Sequence, residues 1–329
     1  MTEALALWQR GQADYADWEA AMERCRGLFA RTIGVDGLDV GLLPAVGPAI
    51  SAAAGVLAGR SGTVVAHRRE FRSLLLPVLA RLGQDRIRWV DGPYVADTFT
   101  PAISGNTAGV LVSSVSSHDG GRPALAAITE AAGSVGAEVI VDATQEAGIV
   151  APAVPVGELS VYATAAYKGL RAARGCGFAY TRPDLVEEFT AYSPYGMADA
   201  GQRGTYGPPV APKAGAPALD QSPAWFSWVG AEPALREHLG SDAEAAAQHV
   251  LGMAARLRAG LQELGHQPQQ TDLPSPVVTF AVDDPQAALA RLAQRGIRAA
   301  AKGERIRLGF HVYNDDDDVD RVIAALTML

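Results

Sequence analysis

Lysine is scarce in this chain: Lys168, Lys213 and Lys302 are the only three among 28 basic residues. A lysine amine can lose its proton and attack a carbonyl, whereas arginine stays protonated at any accessible pH. Lys168 opens a run of small residues, "KGLRAARGCG" (168–177), along which backbone can pass close to a ligand. Upstream, Asp142 directly follows the apolar Val139-Ile140-Val141, and Gln145 comes three residues later. A carboxylate at the end of a buried run is costly unless a cation or donors offset its desolvation. Taken singly, Lys168 also reads as a solvated cation and Asp142 as a turn or capping residue.

Together the three side chains suit one cofactor, pyridoxal 5′-phosphate (PLP). A lysine must condense with its aldehyde, yet a reference pKa of about 10.4 leaves roughly one amine in 2,500 neutral at pH 7. The site must therefore disfavour the ammonium by burial or nearby positive charge. A carboxylate must pair with the pyridine nitrogen and keep it protonated, so that the ring draws electrons. A third polar group must address the ring hydroxyl. Lys168, Asp142 and Gln145 fill these roles.

Such residues need a sheet to hold them. Short strands are expected at 40–44, 63–67, 87–90, 108–116, 137–144, 159–164 and 177–183, with helices at 14–34, from Pro48, at 70–83 and at 122–136. Their alternation predicts an α/β fold with a mostly parallel sheet, in which ligands sit at the carboxyl ends of strands. A second β-α-β-α pattern follows residue 236 and predicts a smaller lobe. The expected division is a helical segment at 1–35, a large domain at 36–235 and a small domain at 236–329. The Pro-, Gly- and Tyr-rich stretch 192–224 is irregular, which favours a role in shaping a pocket.

With 48% hydrophobic and 19% charged residues and a net charge of −8, the chain reads as a soluble protein that binds neither nucleic acid nor membrane. The uncharged run Val40–Gly59 is long enough to span a bilayer, but Pro44 and Pro48 break it and no flanking basic cluster or aromatic belt is present. No secretory leader is visible, so a cytoplasmic location is expected. Cys25 and Cys176 are too few for a disulfide framework or a four-ligand zinc site. The acidic "DDDD" (315–318) reads as a helix start capped by Asn314, and no metal is implied.

The motifs "VIVDATQEAG", the later "YK" and "GCGFAYTRPDL" resemble the class V aminotransferase-like branch of fold-type-I PLP enzymes. That branch includes cysteine desulfurases, kynureninases and isopenicillin-N-epimerase-like proteins. "ERIRLGFHVYNDDDDVDRVIAAL" is similar to its C-terminal signature, and "YADWEAAMERCRGLFARTIGV" and "EFRSLLLPVL" resemble the epimerase-like subgroup. The resemblance implies a homodimeric enzyme that acts at the α-amino centre of an amino acid or its conjugate. Lys168 then holds the cofactor covalently and moves protons, Asp142 binds the pyridinium and Gln145 approaches the ring oxygen. It implies further that Tyr167 addresses the phosphate and that Arg307 grips a substrate carboxylate. Phe71 or Ser114 falls in the slot that covers the ring, and His118 is a candidate on the substrate side. Transamination, C–S or C–N β-elimination, epimerisation and decarboxylation all share these residues. The first two rank highest, in a specialised biosynthetic pathway.

Three departures qualify the resemblance. Relatives place hydroxyl residues in the loop before the first buried helix, where this chain has Ala45-Val46-Gly47. A "GTP" segment lent by the partner subunit reads Gly215-Ala216-Pro217. The phosphate is then left to backbone N–H groups around Val46 and Gly47, and a non-catalytic binding protein of the same fold is the rival reading. A cysteine desulfurase also needs a nucleophilic cysteine in its C-terminal third, and residues 177–329 contain none.

Overall fold

The computed structural model describes residues 1–191, 193–198 and 211–327. Seven strands form the main sheet: β1 (Val40–Leu43), β2 (Thr63–His67), β3 (Ile87–Val90), β4 (Thr107–Ser113), β5 (Glu138–Asp142), β6 (Val161–Ala165) and β7 (Gly177–Thr181). Their order is β1-β7-β6-β5-β4-β2-β3. β7 is antiparallel to both neighbours, and the other six run in one direction. β4 and β5 are buried along their whole length, which is why they read as unbroken apolar runs.

Alternate residues of these strands serve two different cores. Val110, Val112, Val139 and Val141 face one side, with Phe29 from the helix Tyr15–Ile33 and Trp228 from the helix Trp225–Gly240. Leu111 and Ile140 face the other, with Ile50 and Leu57 of the helix Val46–Gly59 and Leu74 of the helix Arg72–Leu82. The apolar run 40–59 is thus divided between β1 and a 14-residue helix. Among the described residues no helix is long and apolar enough to cross a membrane.

A third core lies in the C-terminal part. There β8 (Val277–Ala281), β9 (Ala300–Lys302) and β10 (Arg305–Gly309) form an antiparallel sheet in the order β8-β10-β9. Helices Ala243–Glu263, Pro285–Gln294 and Asp316–Leu326 pack on it through Leu257, Leu292 and Val322.

Several boundaries differ from the sequence expectation. The helix after β1 begins at Val46, not at Pro48, which stands third and gives up only an N–H that has no helical partner anyway. β9 has no counterpart in the sequence pattern, because three residues carry too little periodicity. Ahead of β8, two helices, Trp225–Gly240 and Ala243–Glu263, are separated at Ser241-Asp242, with Asp242 capping the second. The last helix is capped by Asp315 in a reciprocal box with Asp318, while Asn314 donates to the Asp318 carboxylate at 2.8 Å.

Candidate active site

β4 and β5 pair Ser113 with Asp142, and β5 pairs Asp142 with Ala163 of β6. Three carboxyl ends therefore open together, and a cavity of about 190 Å³ lies against them. Asp142, Gln145, Lys168, Tyr167, Phe71 and Val46 all line it.

Asp142 is buried and accepts from the Thr144 N–H at 2.9 Å. Burial raises its carboxyl above the usual range, against the opposing pull of the Thr144 bonds and the Lys168 charge. Among the described residues no cation lies within ion-pair distance of it. Lys168 is half-buried, and burial lowers its amine. Asp142 opposes this, while the positive charges of Arg307 and Lys302 add to it.

Two glycines set the lysine in place. A Cβ on Gly169 would stand 2.2 Å from the Ala147 carbonyl oxygen, and one on Gly148 would stand 2.6 Å from the Gly169 carbonyl carbon. The loops that follow β5 and β6 thus cross backbone on backbone, which only glycine allows. Gly148 also needs a φ of 80°, in the left-handed region. His311 of the C-terminal part donates from Nε2 to the Gly169 carbonyl at 3.0 Å, while its Nδ1 accepts from the Val312 N–H.

Phe71 is 50% exposed and lines the cavity, so it is no core residue. Its place is fixed by Glu70, a fully interior carboxyl that sequence reasoning missed. Glu70 accepts from the Phe71 N–H at 3.1 Å, the Ser113 N–H at 2.9 Å and the Ser113 hydroxyl at 2.7 Å, and from the Tyr94 hydroxyl. Burial lifts it to about 7 despite these donors, and the Asp142 charge adds to the lift. The available signal was an acid just past a buried strand, the same one that marked Asp142.

Strand parity separates the remaining candidates. Ser113, Val115 and Ser117 line the cavity, whereas Ser114 is buried away from it, its N–H bonded to the Asp142 carbonyl at 3.0 Å. Phe71, not Ser114, is the ring-covering candidate that the fold brings to the cavity. Gly47 is not a lining residue either, and its carbonyl accepts from the Ser51 hydroxyl at 2.9 Å. His118 lines neither this cavity nor the one around Arg307. Its Nδ1 is buried without a partner among the described residues, and burial lowers its ring. Arg307, on β10, donates to the Ser117 carbonyl and lines a second cavity with Arg298 and Gln145. Gln145 lines both cavities and joins them. Cys25 and Cys176 are buried, and burial raises both thiols. Residues 192 and 199–210 of the irregular segment, expected to shape the pocket, lie outside the described residues.

The donor set fits PLP. A buried carboxylate without a cation faces a cavity that also holds a lysine of depressed basicity, an aromatic ring and a glutamine.

A profile of the aminotransferase class-V family matches residues 3–322, and the chain belongs to that family. It is a PLP-dependent enzyme that acts on amino acids. Its fold is shared by solved structures of low sequence identity. A C-DES mutant with glycine covalently linked to the PLP cofactor superposes with a TM-score of 0.83 at 21% identity, covering 98% of this chain and 90% of that one. Apo cysteine desulfurase from Thermococcus onnurineus NA1 gives 0.80 at 19% identity, with 95% and 84% covered. A subgroup IV aspartate aminotransferase from Thermus thermophilus gives 0.75 at 18% identity, with 100% and 95% covered. No curated protein matches the chain by sequence.

Proposed function

We propose that the enzyme transaminates an amino acid or eliminates a C–S or C–N bond from the β-carbon of an amino-acid conjugate, as a step of a specialised biosynthetic pathway. The observation that carries this reading is the pairing of Asp142 and Lys168 across one cavity, an interior acid facing an amine of lowered pKa. When bound, PLP supplies an aldehyde and an electron-withdrawing ring that stabilises negative charge at the substrate Cα. Asp142 holds the ring nitrogen protonated, and Gln145 addresses the ring oxygen. Phe71 covers one ring face. Lys168, made less basic by burial, takes the proton from Cα and returns it. Arg307 leaves the Ser117 carbonyl to fork the substrate α-carboxylate. Persulfide transfer in the manner of a cysteine desulfurase is disfavoured, because both cysteines of the chain are buried and neither lines the cavity. The reading includes a cytoplasmic homodimer, which sedimentation of the purified protein tests for assembly.

The test is direct. Purified protein should be yellow, and borohydride should fix a pyridoxyl group on Lys168. Incubation with amino acids and S-conjugates should release a keto acid, with pyridoxamine phosphate if the enzyme transaminates and with free thiol if it eliminates. Cα deuterium exchange without keto acid would move epimerisation ahead, and carbon dioxide release would do so for decarboxylation. Protein that stays colourless in excess PLP would leave only the binding-protein reading.

A further inference from the structure

The cavity has a wall poor in hydroxyls, and the strand register brings a cation to it. β1, β7 and β6 lie side by side, with Leu43 opposite Gly177 and Gly177 opposite Ala165. The chain passes this sheet end at three adjacent points. Ala45 and Val46 follow β1, Tyr167 follows β6, and Arg174 lies just before β7. All four line the cavity that holds Lys168.

The groups that usually hold a phosphate are thin on this side, the lining hydroxyls Ser73 and Ser117 lying in the helix after Phe71 and past β4. Ala45 caps the helix Val46–Gly59 without a side-chain hydrogen bond, Pro48 contributes no N–H to its first turn, and Ala165 has no hydroxyl. The Ser113 hydroxyl is committed to Glu70, and the Thr144 hydroxyl accepts from the Ala165 N–H at 3.2 Å. Arg174 is differently placed. Its guanidinium lies 5.2 Å from the centroid of the Tyr167 ring, and it makes no ion pair or side-chain hydrogen bond with any described residue. Its loop neighbour Arg171, by contrast, is paired with Glu237 at 3.1 Å. A planar cation seated on an aromatic ring beside the start of a helix, with no carboxylate to neutralise it, is suited to a dianionic phosphate.

We propose that Arg174 anchors the cofactor phosphate in this chain, replacing the side-chain hydroxyls that relatives use there. The inference rests on the PLP reading of the cavity, and its test keeps the two apart. Full-length protein is stripped of cofactor and titrated with PLP and with pyridoxal, which lacks the phosphate, while absorbance reports capture at Lys168. Arg174→Ala should weaken PLP by about 10- to 100-fold, as expected for a charge-assisted hydrogen bond or two, and leave pyridoxal unchanged. Arg174→Lys should recover part of the loss, since a point charge replaces the fork. In the wild type, the phosphorus resonance of bound PLP should stay flat through the second phosphate ionisation near about pH 6, and in Arg174→Ala it should titrate. Equal losses for both aldehydes, or unchanged PLP binding, would overturn the assignment while leaving the cofactor reading intact. So would a Tyr167→Phe variant that erases the preference for PLP as fully as Arg174→Ala, because the hydroxyl would then be the anchor. Wild-type protein that captures neither aldehyde would remove both.

Discussion

Where β4 and β5 end, the cavity wall is polar to its depth. Glu70 and Asp142 lie inside the protein, and donors from Tyr94, Ser113 and Thr144 converge on them. Where β1 and β6 end and β7 begins, the wall is Ala45, Val46 and Ala165, with Arg174 and Tyr167 at its exposed edge. The first region fixes its two carboxyls by hydrogen bonds inside the protein. The second relies on an exposed cation and a helix start at the solvent boundary. On the proposed roles, chemistry falls to one end, where the reacting atoms must be placed closely, and retention of the cofactor to the other, where a net attraction suffices.

The largest effect should come from the residue between the two regions. Lys168→Ala should abolish covalent capture of PLP and lower turnover by about 10²–10⁴-fold or more, the range for a positioned proton-transfer group; borohydride labelling and steady-state kinetics check both. Asp142→Asn breaks the polar end, with an expected fall in kcat of about 10- to 100-fold, the worth of one charge-assisted hydrogen bond in a buried site. Its cofactor affinity should fall less than that of Arg174→Ala, and a reversed ranking would erase the division of labour. Arg307→Ala should raise KM for the amino acid about tenfold or more with cofactor content unchanged.

Glu70 gives a pH signature to the polar end. Its folded pKa of about 7 lies above its ordinary value of 4.5, so the folded state holds the proton more tightly than the unfolded chain does. That contribution is full below about pH 4.5 and is lost as the pH rises through about 7. Glu70→Gln should therefore flatten the decline of Tm across that window, measured by calorimetry at several pH values. Glu70→Ala should instead cost about 1–3 kcal/mol for each donor left bare. The smallest change sharpens the other end: Ala165→Ser, which adds one hydroxyl, should tighten PLP by about fivefold, read by the same absorbance titration.

Much of the polar end was legible in the sequence. A carboxylate closing an apolar run and a rare lysine after the next strand are one-dimensional signals, and the register of β4, β5 and β6 turned them into neighbours. Glu70 escaped because its partners Tyr94 and Ser113 come from distant segments that only the sheet order brings together. Arg174 escaped because arginine is abundant here, and only the antiparallel turn into β7 distinguishes it from Arg171. Ser114 and Ser113 are indistinguishable by composition. Which of them meets the cavity is decided by pleat parity, which a run such as "SSVSS" does not reveal.

Arg307 resting on the Ser117 carbonyl bears on which ligands the enzyme keeps. In the role proposed for Arg307, substrate binding would be an exchange, in which a carboxylate must outbid a backbone amide oxygen already in position. A full negative charge wins that competition, whereas an ester, an amide or a decarboxylated amine offers little more than the carbonyl it displaces. On that proposed role, the parked guanidinium would set a threshold that favours free amino acids over their neutral derivatives.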